Sequence, residues 1–509
     1  MLKPFTASVR IVERGGYRAW LFFALVTVAL RLPIFFLPFF TKDEATYSAL
    51  AAKLLSGALF YVGAVDHKPP GIALTYAFVF WLAGRYRLVF VRLVLLGVVV
   101  ATSVLIGETA RRLYRSPRAR VAGLLYAAAS AIGLPGDMQS ANTELFLNLP
   151  LAAAALLVAG AGDESDAIAA FAAAGFLTGL AALFKYQAAA AGVAWAAAVL
   201  AAGGGARRVV SRLAALLAGI APVVLGLCGF YWLRGEWPAF WFWGWQYNFV
   251  YMSLLTPSVM VENAIFYTVV AALFWLPLVI CVVEPRVPRP FLALAWLASM
   301  VPALVAGGRF FPHYYLMPLP PVCLLAAPGF LAIADAPSRR LRLAQASTAL
   351  GVAVTLVLSW GWYHIKPGLA DNQRGYAGVA AYVNAHTSPD DRIFVWGNSP
   401  EIYVYADRVM ATRFAFCNYM TGKIWGTDAA DTDILDTDRF SVPRAWEELV
   451  LDLGRTPPAV IVDAAAGKLD GFGLNAASRY PDLWEIIERS YRREAVIEGV
   501  PVYRRAAGL

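Results

Sequence analysis

Residues 88–110 read LVFVRLVLLGVVVATSVLIGETA, and directly behind them come Arg111, Arg112, Arg115, Arg118 and Arg120. An apolar run longer than the roughly 20 residues a bilayer requires, closed by a cluster of arginines, reads as a membrane span ending on its cytoplasmic side. The rest of the chain agrees. Of its 509 residues 60% are hydrophobic and 15% charged, with a positive mean hydropathy, which a water-soluble domain of this size would not tolerate. A formal charge of +9 would suggest nucleic acid in a soluble protein, but these basic residues sit in short loops between apolar runs and report topology instead. No nucleic-acid partner is expected. Of the four cysteines, Cys228, Cys281 and Cys323 lie in apolar stretches and Cys417 stands alone in the polar C-terminal part, so neither a disulfide framework nor a cysteine zinc site can be built.

Working outward from 88–110, further spans are expected at 20–40, 120–134, 144–160, 167–184, 187–202, 213–233, 263–283, 291–306, 314–334 and 347–364. The first follows Lys3, Arg10, Arg14 and Arg18 but is too long for a secretion signal, and Arg31 and Pro33 mark a kink near its outer end, facing protein or the interface. Residues 71–83 are apolar but short, and counting them as a crossing would put the Arg111–Arg120 cluster outside, so they are laid in the membrane interface. With the N-terminus in the cytoplasm, Arg207, Arg208 and Arg212, Arg286 with Arg289, and Arg339, Arg340 and Arg342 all fall inside. The acidic loop with Asp163, Glu164 and Asp166 carries little weight in that rule.

Everything after His364 is then outside. Short β-rich runs at 392–396, 459–462 and 499–503 alternate there with helical patterns, so 366–509 reads as a small soluble α/β domain. The expectation is a polytopic α-helical membrane protein of about eleven spans (residues 1–365) with a small extracytoplasmic α/β domain. Arginine in excess over lysine, with abundant alanine, points to a GC-rich bacterial genome, hence to a bacterial inner membrane.

The polar residues that composition does not demand collect in the outer loops. They are Asp43 and Glu44, then Asp66, His67 and Lys68 before Pro69-Pro70, then Gln139 to Glu144, then Lys185 to Gln187, and Arg309 to Tyr314. Each has a plainer structural reading. Thr41-Lys42-Asp43-Glu44 fits a helix capping box that leads an amphipathic helix ending near Gly57. Lys68, Lys185 and Arg309 could snorkel to the interface, and His67 and His313 could be satisfied interfacial histidines. In 237–251, nine of fifteen residues are aromatic. An interfacial belt is the simpler reading, and a seat for a lipid chain or sugar ring the sharper one.

No phosphate loop, HExxH motif or strand-led GxGxxG is present. An enzyme working outside without a nucleotide site needs an activated substrate. A lipid-linked phosphosugar fits: its phosphate leaves readily, its charge asks for Lys and Arg, and its tail partitions into the bilayer. The acceptor hydroxyl needs a base, which an outer carboxylate can supply.

At Asp43-Glu44, His67-Lys68-Pro69-Pro70, Ala141 to Glu144 and Arg309 to Tyr315 the sequence resembles the bacterial members of the dolichyl-phosphate-mannose protein mannosyltransferase family, in the C-type (GT-C) glycosyltransferase superfamily. The resemblance covers most of 20–364 and does not extend to the C-terminal domain. It implies an outer-face site, a polyprenyl-phosphate sugar donor, a lipid, glycan or protein acceptor, and inversion at the anomeric carbon. It makes Asp43 the catalytic carboxylate, Lys68 and Arg309 phosphate contacts, and Glu144 an acidic residue near the acceptor. Glu44, His67, Lys185, His313 and Tyr314 complete the expected substrate-binding set. His67 stands where the family often has Glu or His, and neither a cofactor nor a required metal is expected. The rival readings are a lipid-linked sugar transporter or flippase, which would carry charge along a path through the membrane, and an oligosaccharide ligase or polymerase.

Overall fold

The computed structural model describes residues 3–39, 41–162, 166–253, 255–285, 287–335, 339–365, 368–424 and 437–506. Phe40, Asp163, Glu164, Arg286, Lys366 and Leu509, which bound or populate expected features, lie outside the described residues. By contacts the chain divides into two compact units. One comprises Met1–Phe40, Val91–Trp237 and Met260–Trp360, the other Thr41–Phe90, Pro238–Val259 and Gly361–Leu509.

Among the described residues, six helices are long and apolar enough to cross a membrane: Gly16–Phe35, Leu88–Tyr114, Thr143–Gly160, Ala206–Leu233, Pro257–Phe274 and Arg339–Trp360. Gly71–Ala83, Ala167–Ala182, Tyr186–Ala202, Phe291–Val305 and Leu319–Asp335 are shorter apolar helices. The expected kink near the outer end of the first span has a local cause. Helix Gly16–Arg31 gives way to a 3-10 turn at Leu32–Phe35, with Pro33 at its start. Arg31 there faces protein: it is fully buried and donates to the carbonyls of Ser130 at 2.7 Å and Met138 at 2.8 Å.

Two expected spans are not single helices. In 120–134 the α-helix covers only Val121–Ala129, because Gly133 sits at φ 153 and Leu134 is extended ahead of Pro135. In 263–283 the helix Pro257–Phe274 stops at Trp275 and restarts as Leu276–Val282, since Pro277 supplies no N–H. The Trp275 indole there donates to the carbonyls of Ala129 and Ile132.

The second unit is built on a five-stranded sheet: β1 (Arg392–Trp396), β2 (Val409–Met410), β3 (Val460–Asp463), β4 (Tyr491–Ile497) and β5 (Val500–Arg505), in the order β2-β1-β3-β5-β4. β1 pairs in parallel with β2 and β3, whereas β5 runs antiparallel to β3 and β4. The three expected strands are present within two residues, and β2 and β4 were not anticipated. The β4–β5 connection is a tight hairpin in which Glu498 and Gly499 both take positive φ, 49° and 81°.

Helix Lys42–Leu55 belongs to this unit and packs on helix Gly71–Ala83, on helix Glu401–Tyr405 and on β2. It is not amphipathic as expected: Glu44 to Lys53 are buried without interruption. Gly71–Ala83, by contrast, buries Ile72, Ala73, Tyr76 and Phe80 while leaving Leu74, Phe78, Trp81 and Leu82 exposed, an apolar outer face of the kind an interfacial helix presents.

Candidate functional site

In the unit that holds Thr41–Phe90, the first turn of helix Lys42–Leu55 directs Asp43 to Lys68. Asp43 Oδ1 lies 3.5 Å from Lys68 Nζ, and its Oδ2 accepts from the Tyr47 hydroxyl at 3.2 Å, one helical turn on. The Tyr47 ring lies under the same ammonium, 5.0 Å away. Asp66 approaches from the other side, with Oδ2 3.9 Å from Lys68 Nζ and Oδ1 3.1 Å from His67 Nδ1. Asp66 is buried, whereas the side chains of Asp43 and Lys68 are 31% and 27% exposed, so the carboxylate–ammonium pair is open to a ligand.

Electrostatics hold Asp66 and Lys68 charged. Burial alone would push the Asp66 carboxyl up, but Lys68 and the hydrogen bond from His67 outweigh it and keep it well below the usual carboxylate range. Burial likewise disfavours the Lys68 ammonium, and Asp43, Tyr47 and Asp66 reverse that, leaving its pKa raised.

The aromatic segment divides by face. Trp243 and Tyr247 are buried, and Tyr251 follows them four residues on, with its ring 4.6 Å from that of His67. Asn248 donates to the His67 carbonyl at 3.0 Å. Trp241, Trp245 and Phe249, offset by two positions, are exposed. A buried and an exposed aromatic face therefore lie on opposite sides of one helical stretch, across a π-helical turn at Phe242–Gln246.

The other unit holds a second polar group. At the start of helix Thr143–Gly160, Glu144 is fully buried and pairs with Lys185 Nζ at 2.5 Å. That ammonium also sits 3.3 Å from the centroid of the Tyr314 ring. His313 Nδ1 meets Asp137 Oδ1 at 2.7 Å, and its ring stacks on Phe311. Burial opposes a charge on His313, but Glu144 and Asp137 outweigh it, so its pKa is raised. Arg309 is 0% exposed on a loop whose neighbours Gly308 and Phe310 take φ of 64° and 52°. A positive φ at a phenylalanine is backbone strain of the kind that accompanies functional loops.

The sequence reading thus gathered residues that do meet: Asp43, His67 and Lys68 in one unit, and Glu144, Lys185, His313 and Tyr314 in the other. Snorkelling does not describe Arg309, which is buried, or Lys185, whose largely covered side chain pairs with Glu144. The capping box is absent: Thr41 has cap geometry but makes no side-chain cap hydrogen bond, and Glu44 is fully buried. Asp137 and Tyr47 were missed, whereas Tyr251 lies at the end of the aromatic run 237–251. Asp137 precedes a flagged segment by two residues, and Tyr47 lies one helical turn beyond Asp43. Among the described residues no three His, Cys, Asp or Glu side chains form a group that could hold a metal ion.

Residues 67–232 match the family described as dolichyl-phosphate-mannose-protein mannosyltransferase, a stretch that includes His67, Lys68, Glu144 and Lys185. No curated protein matches the chain by sequence. By structure the chain is similar to ArnT from Cupriavidus metallidurans bound to undecaprenyl phosphate, at 15% identity and a TM-score of 0.60, over 97% of this chain and 99% of that one. The apo state of ArnT aligns at 14% identity and a TM-score of 0.56, over 91% and 93% of the two chains. Likeness at this identity is likeness of fold.

Proposed function

For a chain with a mannosyltransferase-family region on the fold of ArnT, we propose an inverting glycosyltransferase that moves a sugar from a polyprenyl-phosphate donor to a hydroxyl acceptor outside the membrane. The observation that carries this reading is the Asp43–Lys68 pair at 3.5 Å, a base candidate beside a cation on a partly open surface. In the reaction the acceptor oxygen bonds to the anomeric carbon from the face opposite the phosphate. The bond from that carbon to the phosphate oxygen breaks, and its electron pair leaves with the polyprenyl phosphate. The acceptor proton passes to Asp43. The donor phosphodiester carries one negative charge and gains a second as it departs, so cations that bind it act most strongly in the transition state. Lys68 takes that role beside Asp43, Arg309 is a phosphate contact by the family resemblance alone, and Tyr251 offers aromatic surface next to His67 for the sugar or the first prenyl units.

The same reading gives the chain about eleven crossings, a cytoplasmic N-terminus and an outer C-terminal part from residue 366 on. Its test is reconstitution of the purified protein with synthetic polyprenyl-phosphate sugars and an extract of envelope lipids and glycans, followed by mass spectrometry. Release of polyprenyl phosphate with an inverted anomeric linkage is the expected result. Movement of intact donor across the vesicle membrane without cleavage would instead establish a flippase.

A further inference from the structure

Two neighbouring side chains in the first turn of helix Lys42–Leu55 have different destinations. Asp43 goes to Tyr47 and Lys68. Lys42 goes to the C-terminal part of the same unit, where its Nζ lies 2.6 Å from Asp470 Oδ1, 2.9 Å from Glu401 Oε1 and 2.6 Å from the Tyr376 hydroxyl. Its ammonium also sits 4.7 Å from the centroid of the Tyr376 ring. Asp470 is itself held by the Tyr376 hydroxyl at 2.5 Å, Ser399 at 2.6 Å and Asn372 at 3.1 Å. Both carboxylate side chains are 4% exposed.

Burial and the neighbouring Asp470 push the Glu401 carboxyl up to about 7 even with Lys42 opposing the rise, so the pocket favours the Lys42 ammonium. Asp470 makes its half of this pocket from a left-handed backbone, at φ 57, two residues after Lys468 at φ 60 and next to Gly471 at φ 72. A non-glycine residue persists there only where its surroundings over-determine it, and four side-chain donors do so. Consecutive helical residues point about 100° apart, so fixing the direction of Lys42 fixes the rotation of the first turn. That rotation sets where Asp43 points.

We infer that Lys42, clamped by Asp470 and Glu401, is a positioning residue that aims the Asp43 carboxylate, an inference that rests on Asp43 being the base of the proposed transfer. The C-terminal part is on this account a component of the catalytic unit.

The test is sugar transfer by purified full-length protein, with turnover and polyprenyl-phosphate affinity measured separately. Lys42→Met is expected to lower kcat about 10- to 100-fold, the effect of a small misplacement of a reacting group, while affinity stays near wild type. Lys42→Arg, which can still bridge both carboxylates, should recover most of the turnover. Because Lys42 acts through Asp43, adding Lys42→Met to Asp43→Asn should leave the residual rate of that variant nearly unchanged. A structural role would instead lower both backgrounds by the same factor. Should Lys42→Met fail to fold, Lys42→Met/Glu401→Gln/Asp470→Asn removes the buried charges along with the clamp and is expected to show the same kcat loss. Wild-type kcat in Lys42→Met, or in the triple variant should Lys42→Met fail to fold, or equal losses with and without Asp43, overturns the inference. Absence of transfer by the wild-type protein refutes the transferase reading itself, and this inference with it.

Discussion

Replacing Asp43 by Asn separates two effects of one carboxylate. Asn keeps the size of the side chain and an oxygen acceptor for the Tyr47 hydroxyl, 3.2 Å away in the native protein, so the helix turn should survive. What goes is the charge 3.5 Å from Lys68 Nζ. A donor phosphate on the open side of Lys68, at ion-pair range, would lie about 6–7 Å from Asp43, where two unit charges repel by ~0.6 kcal/mol in water and ~2.5 kcal/mol at an effective dielectric of about 20. The Asp43 side chain is 31% exposed, so screening favours the lower end. Relief of about 1 kcal/mol means roughly fivefold tighter donor binding. Turnover moves the other way: loss of a general base costs about 10²-fold or more, ~2.7 kcal/mol of barrier. Donor affinity by calorimetry at low salt and single-turnover transfer would be measured on wild type and Asp43→Asn. Wild-type turnover refutes Asp43 as the base. Clearly weakened donor binding refutes the arrangement in which Lys68 stands between Asp43 and the phosphate.

Arg309→Ala should lower turnover by roughly 10²-fold, with Lys restoring only part, because an ammonium cannot grip two phosphate oxygens in a fork; an Ala variant with full activity removes Arg309 from the site. Glu144→Gln takes the carboxylate from a Lys185 side chain that is 13% exposed, and should cost about 3 kcal/mol of stability, whereas Glu144→Gln/Lys185→Met should regain most of it. Thermal unfolding of the three proteins in one detergent decides this, and equal stability of Glu144→Gln and wild type would show that the pair does not hold the fold. For topology, single cysteines at Ser116 and Ser388 in a background lacking the native ones should label differently with an impermeant maleimide on intact cells. Reaction at Ser116 but not at Ser388 inverts the orientation.

What the sequence by itself determined are properties that add up locally. Apolar length and flanking arginines made 88–110 a span, and β-rich runs between helical patterns announced the C-terminal sheet. Unusual polar residues in the loops between apolar runs pointed to Asp43, Lys68, Glu144, Lys185 and His313. Pro33 marked the end of the first long helix, though 120–134 and 263–283 showed that apolar composition is blind to where a helix stops inside a run.

Tertiary structure alone decided the partnerships. His313 meets Asp137, 176 positions away, and Lys42 meets Glu401, 359 positions away. No spacing rule reaches across such distances, because a pairing between remote residues depends on the packing of everything between them. The segment Thr41 to Glu44 shows the limit most directly. Locally it spells a capping box worth about 1 kcal/mol. The folded chain instead buries Glu44 and commits Lys42 to two buried carboxylates, which stand to lose far more without it.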